Sequence, residues 1–171
     1  MLWTISGPSS AGKSHLLATP RAQELTGLGP STPVLFPPKI GKTLEIEGDA
    51  FLHYNLLRPA MAAFKRDEDP AAALDFSLDD RWMRAVEAGT EMSAIVLVAD
   101  KSTLMDRANG RDVNEPGGKR RYKRTKWLAL FEQIDLDAVY DAWRGELGRR
   151  GIPFIEVDST RDEFPVLEAK R

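Results

Sequence analysis

The feature that most constrains this chain is the run Gly7-Pro8-Ser9-Ser10-Ala11-Gly12-Lys13-Ser14. It satisfies G-x-x-x-x-G-K-[ST] without a mismatch. It lies between a short β-prone run, Leu2 to Ser6, and a segment of helix formers that starts at Lys13 and meets Pro20. Glycines at both ends of such a loop let the backbone close into a concave nest whose N–H groups point at phosphate oxygens. The lysine is then placed to reach the outer phosphates. The serine is placed to share a Mg²⁺ ion with them, since that ion prefers oxygen donors. A strand that feeds such a loop into a helix is one unit of an α/β fold.

The rest of the chain continues the alternation. Ala94-Ile95-Val96-Leu97-Val98-Ala99 is a continuous apolar run, as expected of a central parallel strand covered on both faces. Pro153 to Val157 predicts a last short strand running into Asp158-Ser159-Thr160, and Leu44-Glu45-Ile46-Glu47 alternates as a strand that would carry Asp49 at its C-terminal tip. Helices are predicted over Ala50 to about Lys65, Leu78 to about Ala88 and Ser102 to about Arg111, the last capped by Ser102. A further helix over Asp135 to Arg149 places Leu136, Val139, Tyr140, Trp143 and Leu147 on one face. The proline-rich stretch from Gly27 to Pro38 reads as an irregular connection, although Val34-Leu35-Phe36 can supply an extra strand. The expectation is one domain over residues 1–171. It is a three-layer α/β fold with helices on both faces of a mostly parallel sheet of about four or five strands.

A net charge of −2 gives no overall attraction to nucleic acid or anionic membrane, so any polyanion contact has to come from a local patch. The chain has no cysteine, which excludes disulfides, thiolate catalysis and Cys-ligated zinc. No apolar run approaches the ~20 residues needed to span a bilayer, and no basic region precedes Gly7. These features are read as those of a soluble, cytoplasmic protein; they leave the oligomeric state open.

Together, Gly7 to Ser14, Glu47-Gly48-Asp49-Ala50-Phe51-Leu52-His53, Asp106-Arg107-Ala108-Asn109-Gly110-Arg111 and the final strand with Asp158-Ser159-Thr160 resemble the P-loop kinases of small molecules. That group includes gluconate, shikimate, adenylylsulfate and nucleoside monophosphate kinases. The resemblance implies a P-loop NTPase fold and transfer of the γ-phosphate of ATP, with Mg²⁺, to a hydroxyl of a small polar acceptor such as a sugar or nucleoside. It implies Gly7, Ser9, Ser10, Ala11, Gly12, Lys13, Ser14 and His15 around the ATP phosphates, with Arg107, Asp158 and Thr160 completing the ATP site.

Gly48-Asp49 resembles the segment beside the acceptor hydroxyl in gluconate and adenylylsulfate kinases, which makes Asp49 the candidate base; the same residue also suits a helix N-cap or a turn. His53, Tyr54, Asn55 and Arg58 follow within about two helical turns and would line an acceptor pocket. Arg107 and Arg111 stand at i and i+4, similar to the lid entrance of nucleoside monophosphate kinases, where the first arginine stacks on adenine and the second contacts phosphate. Asp100, which closes the Ala94 strand, is the candidate carboxylate for the metal beside Ser14.

A glycine hinge followed by the basic run Lys119 to Lys126 suits a lid over approximately residues 111–127. Basic side chains interleaved with Tyr122 equally suit nucleic acid, so a kinase of polynucleotide ends or modified bases is the first alternative, and a non-catalytic nucleotide switch the second. Trp82, Trp127 and Trp143 are expected in the packing.

Overall fold

The computed structural model describes residues 1–39, 42–89, 91–110 and 118–170, with the backbone alone described over 118–124. Its sheet has six strands in the order β2-β3-β1-β4-β5-β6. These are β1 (Leu2–Gly7), β2 (Val34–Leu35), β3 (Ala50–Asn55), β4 (Met92–Val98), β5 (Phe154–Asp158) and β6 (Val166–Lys170). The first five run parallel, and β6 returns antiparallel along β5. The helices are α1 (Lys13–Leu17), α2 (Pro20–Thr26), α3 (Arg58–Phe64), α4 (Asp80–Ala88), α5 (Lys101–Gly110), α6 (Gly118–Gln133) and α7 (Leu136–Arg149).

β1 lies inside the sheet, between β3 and β4. Ser6 pairs with Tyr54 of β3 on one side and with Val96 of β4 on the other. Parallel pairing brings the C-terminal ends of these strands to one edge, where open α/β sheets form their binding crevices. Below that edge an aromatic cluster fills one face. The Tyr54 and Trp143 rings stack at 5.1 Å, and Trp82 and Phe76 meet Trp143 edge-on at 4.7 and 4.9 Å, the offset and T-shaped arrangements that ring quadrupoles favour. Each polar handle of the cluster has a partner. Trp143 Nε1 donates to Ser6 Oγ at 2.9 Å, Tyr54 donates to Asp79 Oδ2 at 2.5 Å, and Trp82 Nε1 donates to Glu146 Oε1 at 2.9 Å.

Several helix ends follow from single residues. Asp135 caps α7 by accepting from the N–H groups of Asp137 and Ala138, and Asp79 caps α4 by accepting from Arg81 N. α1 stops after five residues, and Pro20 opens α2 in the first helical position, where a missing N–H costs nothing.

Three expectations need correction. Leu44 to Glu47 is not a strand; the strand is Ala50–Asn55, inside the stretch read as a helix, and α3 starts only at Arg58. Pairing with β1 outweighs the local alternation upstream. The sheet has six strands, β6 having been missed because all five of its residues are exposed and leave no burial pattern. Asp100, not Ser102, caps α5: its carboxylate accepts from Thr103 N at 2.7 Å, while the Ser102 hydroxyl donates to it at 2.6 Å. Of the stretch read as a lid, the residues from Gly118 onward are helical, and 111–117 lie outside the described residues.

Glu146 is 1% exposed and holds Trp82 together with Arg149 and Arg150. Removing one member of such a buried network strands the others, a cost of roughly 3 kcal/mol or more. Glu146→Ala is therefore expected to lower the unfolding free energy by about that amount, as read from urea denaturation; a change under about 1 kcal/mol would mean that the network contributes no more than a surface pair.

Candidate functional site

The phosphate-loop residues leave the sheet at Gly7, where a side chain would be crowded. A Cβ there would lie 3.1 Å from both Cβ and O of Leu97 and 3.2 Å from Cβ of Ala11. The loop then takes left-handed backbone at Ser10, with φ of 69°, and at Gly12, with φ of 87°, closing the concave turn that suits bound phosphate. Lys13 is only 5% exposed and lies back across the loop, its Nζ donating to the carbonyls of Gly7 at 2.8 Å and Pro8 at 2.6 Å. Ser14 and His15 are exposed in the first turn of α1.

A second group of residues meets the loop from the β5 side. Arg107 of α5 donates from Nη2 to Ser159 O at 2.6 Å, while its Nη1 is buried without a hydrogen-bond partner. The same Nη1 would stand 3.8 Å from a Cβ added at Gly12, and the Phe164 ring 3.7 Å from it, so both groups lie against the loop. Phe164 is 1% exposed and has its ring 5.7 Å from that of His15, and its carbonyl accepts from Arg21 at 3.4 Å. Asp158 accepts from the hydroxyl of Thr160 at 2.6 Å and from its N–H at 2.8 Å. Those hydrogen bonds, together with the charges of Arg161 and Arg107, hold its carboxyl below the usual carboxylate range.

On the opposite side, β3 brings Asn55 level with Gly7, and Leu56 N donates to Gly7 O at 3.2 Å. Asn55 Oδ1 accepts from Leu57 N at 3.1 Å, which turns the chain into α3 and sets Arg58 at its first position. His53 lies on the same face of the strand two residues earlier, its ring 5.2 Å from that of Phe36. Burial, and then the charge of Lys13, push the His53 imidazole down to about 4.

The loop residues, Arg107, Asp158, Thr160, His53, Asn55 and Arg58 are therefore gathered around one edge of the sheet. Asp49 is not. It precedes β3, at the other end of a strand about 20 Å long, and there it accepts from the Met1 amino group at 2.8 Å. The strand was misplaced in sequence, and the candidate base went with it. Asp100 does stand past the end of β4, but its carboxylate is occupied by the Ser102 hydroxyl and by the N–H and hydroxyl of Thr103, which hold it ionised, at about 2. Among the described residues no group of three or more His, Cys, Asp or Glu could hold a metal. Arg111 lies outside the described residues, as do the side chains of 119–124 in the proposed nucleic-acid run.

Phe164, Arg21 and Phe36 were not singled out from sequence. Each is a lone aromatic or basic residue in a loop or short helix, and only the fold gives it a neighbour in the site. No helix among the described residues is long and apolar enough to cross a membrane.

No protein-family model and no curated protein matches the sequence. Among solved structures, the chain is similar to deoxyadenosine kinase from M. mycoides with bound dATP, at 15% identity and a TM-score of 0.48, covering 95% of this chain and 93% of that one. It is also similar to the YorR protein from Bacillus subtilis in complex with phosphorylated GDP, at 17% identity and a TM-score of 0.47, covering 94% and 87%.

The His53 environment predicts a pH dependence. In the unfolded chain the imidazole titrates near 6.5, and in the folded protein near 4. Over that window the unfolded state binds the extra proton, so the contribution is fully present above the upper value and is lost as pH falls toward the lower one. Urea midpoints measured across this range are expected to fall less steeply for His53→Gln than for the unsubstituted protein. Parallel curves would show that His53 titrates alike in both states.

Proposed function

We propose that this chain is an ATP-dependent phosphotransferase acting on a hydroxyl of a small acceptor. The observation that carries the reading is the closed loop at Gly7–Ser14, with Lys13 held across its carbonyls and the Nη1 of Arg107 buried without a partner beside Gly12. A loop with left-handed turns and little space for a side chain at its first glycine suits phosphate oxygens. The Arg107 guanidinium supplies a planar, permanently charged donor next to it.

In this reading Gly7, Ser9, Ser10, Ala11, Gly12 and Lys13 hold the phosphates, His15, Arg107, Asp158 and Thr160 border the remainder of ATP, and the acceptor enters beside Asn55 and Arg58. His53, kept neutral, adds no positive charge next to Lys13. Ser14 would be a protein ligand for Mg²⁺, an ion that would neutralise charge on the phosphate oxygens. The acceptor oxygen bonds to the γ-phosphorus as the bond to the β–γ bridging oxygen breaks, the electron pair leaves with ADP, and the hydroxyl proton is released. Such a transition state demands positioning and charge more than a strong base, which accords with Asp49 standing away from this edge of the sheet.

The test is transfer of label from γ-labelled ATP to a panel of hydroxyl acceptors. Lys13→Ala is expected to lower transfer by roughly 10²-fold or more with the thermal unfolding curve retained. Asp49→Asn is expected to stay within about twofold of the unsubstituted rate, because it sits at the far end of β3. Transfer undiminished in Lys13→Ala would end the phosphotransferase reading, and a collapse in Asp49→Asn would return Asp49 to the site.

A further inference from the structure

Residues 159–165, which turn the chain from β5 into β6, reach α1, α2, α5 and the phosphate loop. Ser159 O accepts from Arg107 of α5 at 2.6 Å, and Asp162 Oδ1 stands 3.9 Å from Nε2 of His15 in α1. The carbonyl of Phe164 accepts from Nε and Nη2 of Arg21 in α2, both at 3.4 Å. The Phe164 ring lies against Gly12 itself: a Cβ there would stand 3.7 Å from its Cε1 and 3.9 Å from its Cζ, ordinary packing distances.

The backbone of Phe164 is unusual for its residue type. Its φ of 48° lies in the left-handed region, which glycine tolerates and a bulky side chain avoids. Such a conformation persists only where its surroundings over-determine it. Here Phe164 N donates to Arg161 O at 3.2 Å, and Asp158 N closes the turn onto Pro165 O at 2.9 Å. The ring so placed is almost completely buried and has no face open for a nucleotide base to stack on. What it meets is the phosphate loop. Gly12 is the N-cap of α1 and takes left-handed backbone in its turn. A glycine has more backbone freedom than any other residue, so its conformation has to be chosen by what packs against it. The Phe164 ring fills the place where a side chain of Gly12 would be, and Nη1 of Arg107 stands 3.8 Å from the same point.

We propose that Phe164 is a positioning residue, whose ring props Gly12 and the Arg107 guanidinium in the arrangement that receives phosphate, so that the loop is set before a nucleotide binds. The proposal rests on the phosphotransferase reading only for the identity of the nucleotide. The setting of the loop stands apart from it and is measured apart from it.

The experiment compares the unsubstituted protein with Phe164→Ala, Phe164→Leu and Arg21→Gln in two measurements. The first is backbone amide exchange, without added nucleotide, over residues 7–18, which include the hydrogen-bonded amides of Ala11 and Leu16, with α7 as the reference. Exchange over 7–18 is expected to rise by a larger factor than in α7 for Phe164→Ala, to rise less for Arg21→Gln, and to return close to the unsubstituted rate in Phe164→Leu, which refills most of the buried volume. Arg21→Gln carries the same comparison if Phe164→Ala does not fold. The second is calorimetric titration with ATP and with tripolyphosphate, both with Mg²⁺, the latter offering phosphates without a base. Both are expected to bind about tenfold more weakly to Phe164→Ala, as they would if about a tenth of the loops held the receiving form, and to recover in Phe164→Leu. Weakened ATP binding with tripolyphosphate binding intact overturns the proposal, since the ring would then serve the base. Exchange over 7–18 that rises no more than in α7 overturns it too, as the mark of a residue that only stabilises the fold, and so does undiminished binding of both probes to Phe164→Ala. If neither probe binds the unsubstituted protein, the phosphotransferase reading fails, and the exchange decides the proposal by itself.

Discussion

The space left by the missing side chain of Gly7 is the constraint on which the site depends. β1 is clamped between parallel neighbours on both edges, so its last residue meets Asn55 on one side and Leu97 on the other. With a Cβ in place, contacts at 3.1 Å to Leu97 and 3.2 Å to Ala11 would be tighter than ordinary packing, so the loop or β4 would have to give by a few tenths of an ångström. Without it the chain turns at once, and Leu56 N reaches Gly7 O. Loop, β3 end and β4 end thus share a wall, and the groups carried by α3 and α5 inherit their positions from that contact.

The rigidity of the wall comes from the other side of the sheet. Ser6 and Tyr54 are neighbours on β1 and β3 and face the same way. Through Trp143 the first is tied to α7, and through Asp79 the second is tied to the start of α4. Glu146, between Trp82 and two arginines, joins α4 to α7. α4 and α7 are therefore fixed to the strands that carry the phosphate loop by buried polar contacts within an aromatic cluster. Such contacts specify one arrangement more sharply than apolar packing alone.

What could be read from sequence follows from where the information was local. The phosphate loop is a contiguous pattern, β4 a continuous apolar run and α7 a periodic one with its own cap, so each stood clear in the residues themselves. β3 did not. Ala50–Asn55 is buried because of what it pairs with on both sides, and its residues, an aromatic pair among them, suit a helix as well as a strand until β1 and β2 are in place. That single misreading moved Asp49 from one edge of the sheet to the other. It also turned His53, Asn55 and Arg58, expected along one helix, into two strand residues and the start of α3. β6 and Phe164 were hidden for a related reason: their roles exist only after the chain has turned back along β5.

Arg107 shows how a site and a fold make opposite demands. Its Nη2 donates to Ser159 O, while among the described residues Nη1 is buried without a hydrogen-bond partner, and a buried donor that stays unsatisfied costs on the order of 1–3 kcal/mol. An arginine kept for packing alone would be better placed with its head in water, as the long aliphatic stem allows. The strain-free alternative is closed off here because Phe164 and Gly12 lie alongside the guanidinium. Any anion or ring acceptor that enters beside the loop relieves that cost, so the binding free energy includes what folding left unsatisfied. Such a ligand would then stabilise the folded chain in proportion to its occupancy.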